Sequence, residues 1–144
     1  SKEDTMKMSE GEITTTVFKD LKDILEDLNL TIPVFKTAFP KGQSGEYVVV
    51  GTIGNSLIGE QVATVNVNIY VPDKLLTING VSQRVRDNAR IDTLTESLLG
   101  VIDNYTGENS EGGWYRYYKT NHSVLSEEEI NYSFSNIQLT FKNN

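Results

Sequence analysis

The sequence contains no cysteine, which excludes disulfides, thiol nucleophiles and thiolate metal sites within one chain. It has a single histidine, His122, in a polar stretch, and this residue alone does not make a catalytic centre. No apolar run approaches the roughly 20 residues that a membrane-spanning helix needs. We therefore expect no enzyme activity, no metal, no cofactor and no membrane partner.

Cations are also scarce, with 13 Lys and Arg against 20 Asp and Glu. The net charge of −7 argues against a surface that grips nucleic acid, because such a surface must neutralise phosphates. It does not exclude DNA that passes nearby without being held. The 144 residues are most simply one domain. We expect a flexible segment over residues 1–10 and a single folded domain over residues 11–144.

Two stretches have helical periodicity. In residues 13–28 apolar residues recur at steps of three and four, which predicts an amphipathic helix. Ser9 and Glu12 before it have the spacing of a capping box. Residues 85–102 predict a second helix, for which Ser82 is the expected N-cap.

Four stretches read as β-strands, namely residues 47–53, 64–71, 114–120 and 130–141. Pro33 suggests that residues 31–38 form an edge strand or a connector. The alternation in the last strand changes parity at Ser135 and Asn136, which predicts a β-bulge there. The expected fold is α+β, with an antiparallel or mixed sheet of about four to five strands packed by two helices in the order α-β-β-α-β-β.

Residues 73–81 read as a connector with an Asn79-Gly80 turn, and Leu75, Leu76 and Ile78 are unusually apolar for a loop. The apolar residues either fold over the edge of the core or pack into an adjacent protomer. Three arginines follow and are expected near the start of the second helix: Arg84, Arg86 and Arg90. They have three interpretations, which are solvation, ion pairs between subunits, and a weak phosphate contact.

The stretch 114–118 places four aromatic residues within five positions. It fits a cross-strand aromatic ladder, and it also fits an interface, since aromatic residues are common in binding hot spots. A third interpretation is a platform on which nucleic-acid bases stack. The polar side of strand 64–71 either faces solvent or meets a neighbouring subunit. Our hypothesis for assembly places residues 73–81 and the arginines on one side of a subunit contact, and Tyr115 and Tyr117 on the other.

The order of these segments resembles the tail completion and tail terminator proteins of tailed bacteriophages, over roughly residues 11–142. Five pieces carry the resemblance: the helix at 17–22 leading into 31–35, Phe39-Pro40 before the strand 47–53, the polar-alternating strand 65–71, a long helix, and the aromatic and terminal strands. The apolar stretch 75–80 and the acidic turn 126–129 depart from the family pattern.

The resemblance implies a structural virion protein of the neck, made in the host cytoplasm. Such proteins form a ring, commonly of about six subunits, that joins the tail to the portal and adaptor proteins or caps the tail tube. DNA passes through the centre of the ring. An alternative is a small bacterial binding or regulatory domain with a ligand or peptide partner, which would need a closed apolar pocket.

Overall fold

The structure is a computed structural model that describes residues 7–38, 40–56 and 58–144. It is an α+β fold with two helices, a mostly antiparallel six-stranded sheet and a separate two-stranded sheet. The helices are α1 (Glu10–Asp27) and α2 (Asn88–Ile102). The strands are β1 (Val34–Lys36), β2 (Tyr47–Ser56), β3 (Gln61–Pro72), β4 (Lys74–Ile78), β5 (Val81–Val85), β6 (Tyr105–Glu108), β7 (Trp114–Glu127) and β8 (Tyr132–Asn143). A short 3-10 helix, Glu128–Ile130, joins β7 to β8.

The large sheet has the strand order β1-β2-β3-β8-β7-β6. Only β1 and β2 run parallel, and every other neighbouring pair is antiparallel. The α+β class is therefore confirmed, whereas the predicted strand count and order are wrong. The sequence prediction missed β4, β5 and β6, because these strands are at most five residues long and mostly exposed. The connector over residues 31–38 contains β1, an edge strand, which is one of the two predicted alternatives.

Helix α1 begins as the sequence predicts. Its N-cap Ser9 accepts a hydrogen bond from the Glu12 amide at 3.1 Å, and the Glu12 carboxylate accepts one from the Ser9 amide at 3.3 Å. This capping box satisfies two of the amides that a helix start leaves without partners. Five residues of the apolar stripe are buried, together with the polar Thr14: Ile13, Val17, Leu21, Ile24 and Leu25.

Replacing Ser9 with alanine removes the side-chain acceptor of this cap. We expect the free energy of unfolding to fall by about 1 kcal/mol, because the Glu12 amide loses its partner. Chemical denaturation measures the change, and Ser44→Ala in an exposed loop is the matched control. Equal stability of the two variants would show that the cap contributes nothing.

Both helices pack on one face of the sheet, and the main core lies between these layers. Strand β3 gives the clearest pattern, since Val65, Val67, Ile69 and Val71 are buried there, as the sequence predicts. Phe141 of β8 and Tyr117 of β7 complete this face of the sheet.

A second, smaller core lies on the opposite face of the sheet, and it explains the parity change in β8. Tyr132 and Phe134 point away from the helices and pack with Tyr47, Val49 and Tyr70. From Ile137 onward the buried residues of β8 point toward the helices. The predicted bulge at residues 135–136 is therefore wrong, because β8 pairs with β3 without interruption. The register of β7 instead shifts between Lys119 and Asn121.

The predicted start of the second helix is also wrong. Ser82, the predicted N-cap, lies in β5, and α2 begins six residues later with Asp87 as its N-cap. The Asp87 carboxylate accepts a hydrogen bond from the Arg90 amide at 3.2 Å. The predicted turn at Asn79-Gly80 is confirmed, and it joins β4 to β5 as a hairpin.

The predicted flexible segment over residues 1–10 is described only from residue 7, and residues 1–6 lie outside the described part of the chain. Met8 packs against the main core, and its amide donates to Gln61 Oε1 at 2.9 Å. The packed domain therefore begins at least three residues before the predicted boundary at residue 11. Phe39, which belongs to the resemblance described above, also lies outside the described residues.

Candidate functional site

The most exposed apolar surface is the hairpin formed by β4 and β5, here called the exposed hairpin. Within the part of the chain that the structure describes, its two strands pair only with each other, and nine of their ten residues are exposed. Leu75, Leu76 and Ile78 belong to it, so the predicted apolar connector is a hairpin that stands away from the core. An isolated two-stranded hairpin is at best marginally stable in water. A partner that covers it would supply the stability that two strands lack.

The exposed hairpin has one apolar face and one more polar face. Residues opposite each other in an antiparallel pair share a face, and residues alternate along each strand. The pairing places Leu76, Ile78, Val81 and Val85 on one face. Three of these side chains are strongly exposed, with exposed fractions of 41% for Leu76, 42% for Ile78 and 58% for Val81. Leu75 lies on the other face, opposite Arg84.

The three arginines do not lie together at the start of α2 as predicted. Arg84 lies in β5, Arg86 lies between β5 and α2, and only Arg90 lies in the helix. Arg90 forms a bidentate ion pair with the Glu46 carboxylate, at 2.6 and 2.8 Å, and this raises the pKa of Arg90 through the hydrogen bonds. Arg90 is therefore paired within its own chain.

Arg86 donates a hydrogen bond to the Ser126 hydroxyl at 2.8 Å. Within the described residues no carboxylate pairs with Arg84 or Arg86. Residues 73–90 carry four cations and two carboxylates, a net charge of +2, so the rest of the chain carries −9. Arg90 is neutralised by Glu46, and Lys74 pairs with Asp87 at 3.3 Å. The positive charges left without a carboxylate in this region are therefore those of Arg84 and Arg86.

Tyr115 and Tyr117 are buried inside the chain, which contradicts their predicted place in a subunit contact. Both rings stack against Phe141, at centroid distances of 5.4 and 6.1 Å. These contacts are those of a cross-strand aromatic ladder, which is one of the interpretations that the sequence allows. Of the four aromatic residues in 114–118, Trp114 is exposed and Tyr118 is half-buried.

The hydroxyls of the two buried tyrosines donate to the same carboxylate. Asp20 Oδ2 accepts hydrogen bonds from the Tyr115 hydroxyl at 2.8 Å and from the Tyr117 hydroxyl at 3.0 Å. Burial raises the pKa of Asp20, and the two hydrogen bonds oppose that rise without reversing it. Burial and the neighbouring Asp20 raise the pKa of Tyr115 and Tyr117. This cluster ties α1 to β7 in the fold, and its tyrosine hydroxyls remain protonated donors near neutral pH.

Gly107 of β6 makes room for the Tyr115 ring. A Cβ atom at this position would overlap the Cζ and hydroxyl atoms of Tyr115, and the Asp20 hydrogen bond prevents that ring from moving freely. We expect Gly107→Ala to lower the free energy of unfolding by about 1–3 kcal/mol through overpacking.

Gly100 is the matched control for that change, since a Cβ atom there meets open space on helix α2. Gly100→Ala should raise the free energy of unfolding by up to about 1 kcal/mol, because alanine favours the helix. Denaturation of both variants gives the comparison. A neutral Gly107→Ala would show that the tyrosine cluster is loosely held.

His122 makes a hydrogen bond through Nε2 to the Ser135 hydroxyl at 2.7 Å, and the Thr95 hydroxyl donates to the same oxygen. Ser135 and His122 are the residue types of a serine nucleophile and its base, but Ser135 is fully buried. A buried hydroxyl cannot reach a substrate, and the arrangement instead satisfies a polar group in the core. His122 is exposed overall, and this contact is not visible in the sequence.

Two grooves flank α1. One, of about 670 Å³, lies between its first half and the β6–β7 loop and includes Glu12, Lys19 and Asp20. The other, of about 590 Å³, lies beside its C-terminal end and is lined mainly by residues 29–34. Both are open to solvent, unlike the closed apolar pocket expected of a small-molecule binding domain. Among the described residues no cluster of acidic or histidine side chains could hold a metal ion, and no helix could span a membrane.

Two features of the surface were missed although the sequence contains a signal for each. Leu76 and Ile78 alternate with Thr77 before Asn79-Gly80, and Val81 follows directly, so apolar residues flank a two-residue turn as in a hairpin. Asp20 lies three residues after Val17 and four before Ile24, so it borders the apolar stripe of α1. Comparison with models of protein families gives no match, and a search of curated protein sequences finds no similar protein.

Proposed function

We propose that this chain is the repeating subunit of a ring at the head–tail junction of a tailed phage, a tail completion or tail terminator protein. The exposed hairpin is the observation that carries the proposal. It presents an apolar face and positive charge on a chain whose remaining residues carry −9. A patch of this kind fits an acidic, partly apolar surface different from itself, and contacts between unlike patches are the ones that close into rings.

The overall charge supports the passage of DNA through the ring. About six copies would bring a net charge of roughly −40 to the assembly, from −7 per chain. An acidic lumen repels the duplex and limits its adhesion to the wall. The protein would therefore lie close to DNA without binding it specifically. Its neighbours would be portal, adaptor or tail-tube proteins.

Negative-stain imaging of the purified protein tests the proposal. The expected particles are closed rings with an open centre wide enough for a DNA duplex. Addition of duplex DNA at physiological salt should not shift the protein in an electrophoretic assay, because an acidic ring repels phosphates. Open filaments, or a tight complex with DNA, would argue against a neck ring.

A further inference from the structure

We infer that the exposed hairpin of one copy adds to the open edge of strand β7 in the next copy, so that the large sheet continues across the subunit contact. The inference rests on the proposed ring for its setting, but it concerns the contact itself. The sequence-based hypothesis placed Tyr115 and Tyr117 on the receiving side of the contact. Because both residues are buried, we assign that side to another part of β7.

The receiving edge is residues 121–127 of β7, here called the open β7 edge. Strand β6 pairs only with residues 114–117 of β7. Beyond that point Asp103 caps the Lys119 amide at 3.1 Å, and the register shift follows. From Asn121 to Glu127 the described residues provide β7 with one strand partner, β8. The other side of this strand presents backbone donors and acceptors that a further strand can bind.

Arg86 of the same chain contacts this edge through the Ser126 hydroxyl at 2.8 Å, but the strand itself lacks the features by which proteins usually protect an open edge. Residues 121–126 contain no proline, lysine, arginine or carboxylate, and Leu125 has an exposed fraction of 46%. Natural edges are commonly guarded by such charges or by proline. On the opposite side of the sheet, the part of β2 that lies beyond β1 is contacted by α1 and by Met8, which precedes that helix. Thr14 bonds Thr52 at 2.7 Å, and Asn55 donates to the Met8 carbonyl at 3.1 Å.

The exposed hairpin fits this edge in length, polarity and charge. Each of its strands has five residues and an outer side without a strand partner, against seven residues on the open β7 edge. Strand addition supplies backbone hydrogen bonds, and side chains on alternate positions supply specificity. The acidic turn Glu127, Glu128 and Glu129 ends the edge and forms no ion pair within the described residues. It can receive the unpaired charge of Arg84 from the neighbouring copy.

Two disabled variants test the contact. The hairpin-disabled chain carries Leu76→Ser, Ile78→Ser and Val81→Ser, and the edge-disabled chain carries Ser123→Lys and Leu125→Lys. All five positions are exposed, so both chains should fold, which backbone amide dispersion in NMR verifies. Each variant alone should be monomeric, because every contact needs one intact hairpin and one intact edge. A mixture should form a one-to-one heterodimer and nothing larger, since only one pair of intact surfaces remains.

The binding of the two variants is followed by NMR titration up to roughly millimolar concentration, which detects even weak pairing. Shifts in amides 121–127 of the hairpin-disabled chain would support the inference, with at least a tenfold weaker response in either variant titrated with itself. No heterodimer, or equal association of each variant with itself, would overturn it. A heterodimer from a protein that forms no closed ring would uphold this contact and reject the neck ring. If the wild-type protein forms a ring but the two variants form no heterodimer, the neck ring is upheld and this contact is rejected.

Discussion

Replacing Leu76, Ile78 and Val81 together with serine is expected to dissociate the ring into monomers without unfolding the chain. The three side chains are 41–58% exposed in one chain and become buried only if a neighbour covers them. Burial of that remaining apolar surface contributes about 1–1.3 kcal/mol for each residue, or about 3–4 kcal/mol per contact. The affinity of one contact should therefore fall by about 100- to 1,000-fold.

The matched control removes apolar surface at the other end of the sheet. Ile53 and Ile58, with exposed fractions of 54% and 91%, lie on or next to β2, away from the exposed hairpin. Ile53→Ser with Ile58→Ser should leave the assembly intact. Size-exclusion chromatography with light scattering measures both variants, and denaturation should place each within about 1 kcal/mol of wild type. If only the control variant dissociated, the subunit contact would lie near β2 and not at the exposed hairpin, which would contradict the proposal.

Replacing Asp20 with alanine is expected to lower the free energy of unfolding by about 2–4 kcal/mol. The change leaves the buried hydroxyls of Tyr115 and Tyr117 without their acceptor, and each unsatisfied group costs about 1–3 kcal/mol. Two such groups would cost about 2–6 kcal/mol. We expect the lower half of that total, because Asp20 is only half-buried and water can replace part of the contact. Asp23→Ala on the exposed side of α1 is the control and should stay within about 0.5 kcal/mol of wild type.

Asp20→Asn separates the hydrogen bonds from the charge. The amide oxygen can still accept from a tyrosine, so the loss should be below about 1 kcal/mol at pH 7. Burial raises the pKa of Asp20 above 3.8, which means that the folded state binds this proton more tightly than the unfolded state. The contribution of Asp20 to stability is then largest below 3.8 and declines as the pH rises through the folded pKa. Relative to wild type, Asp20→Asn should gain stability from pH 4 to pH 7. A constant difference over this range would show that the pKa of Asp20 is not raised.

The parts of the fold that the sequence predicts well are those with a long repeated pattern. Helix α1 has seven apolar positions at helical spacing and a capping box, and nothing competes with that signal. In β3 alternation persists for eight residues because one face meets the helices throughout. Burial of one face imposes a period that can be read directly from the sequence.

The wrong predictions arise where a residue's surroundings change within one element. In β8 the buried side switches from Phe134 to Ile137 because two cores lie on opposite faces of the sheet. A single sequence shows the change of parity and does not show what covers each face. The arginines were misplaced for a related reason, since β5 was not recognised and Arg84 was assigned to the helix.

The assembly surface could be only half predicted. Leu76 and Ile78 stand out as apolar residues in a turn-rich stretch, and this signal is visible without a structure. The open β7 edge has no such signal, because it depends on where β6 stops pairing with β7. Tyr115 and Tyr117 were assigned to an interface because exposure cannot be inferred from aromatic composition alone.

The molar mass of the wild-type protein in solution, measured by multi-angle light scattering over a concentration series, tests the central claim most directly. A neck-ring subunit should approach a plateau at about six times the chain mass of 16.1 kDa and show no larger species at higher concentration, because a closed ring leaves no free contact. A mass of one chain up to roughly millimolar concentration would contradict the account. A mass that rises without a plateau would also contradict it, since that is the behaviour of an open filament.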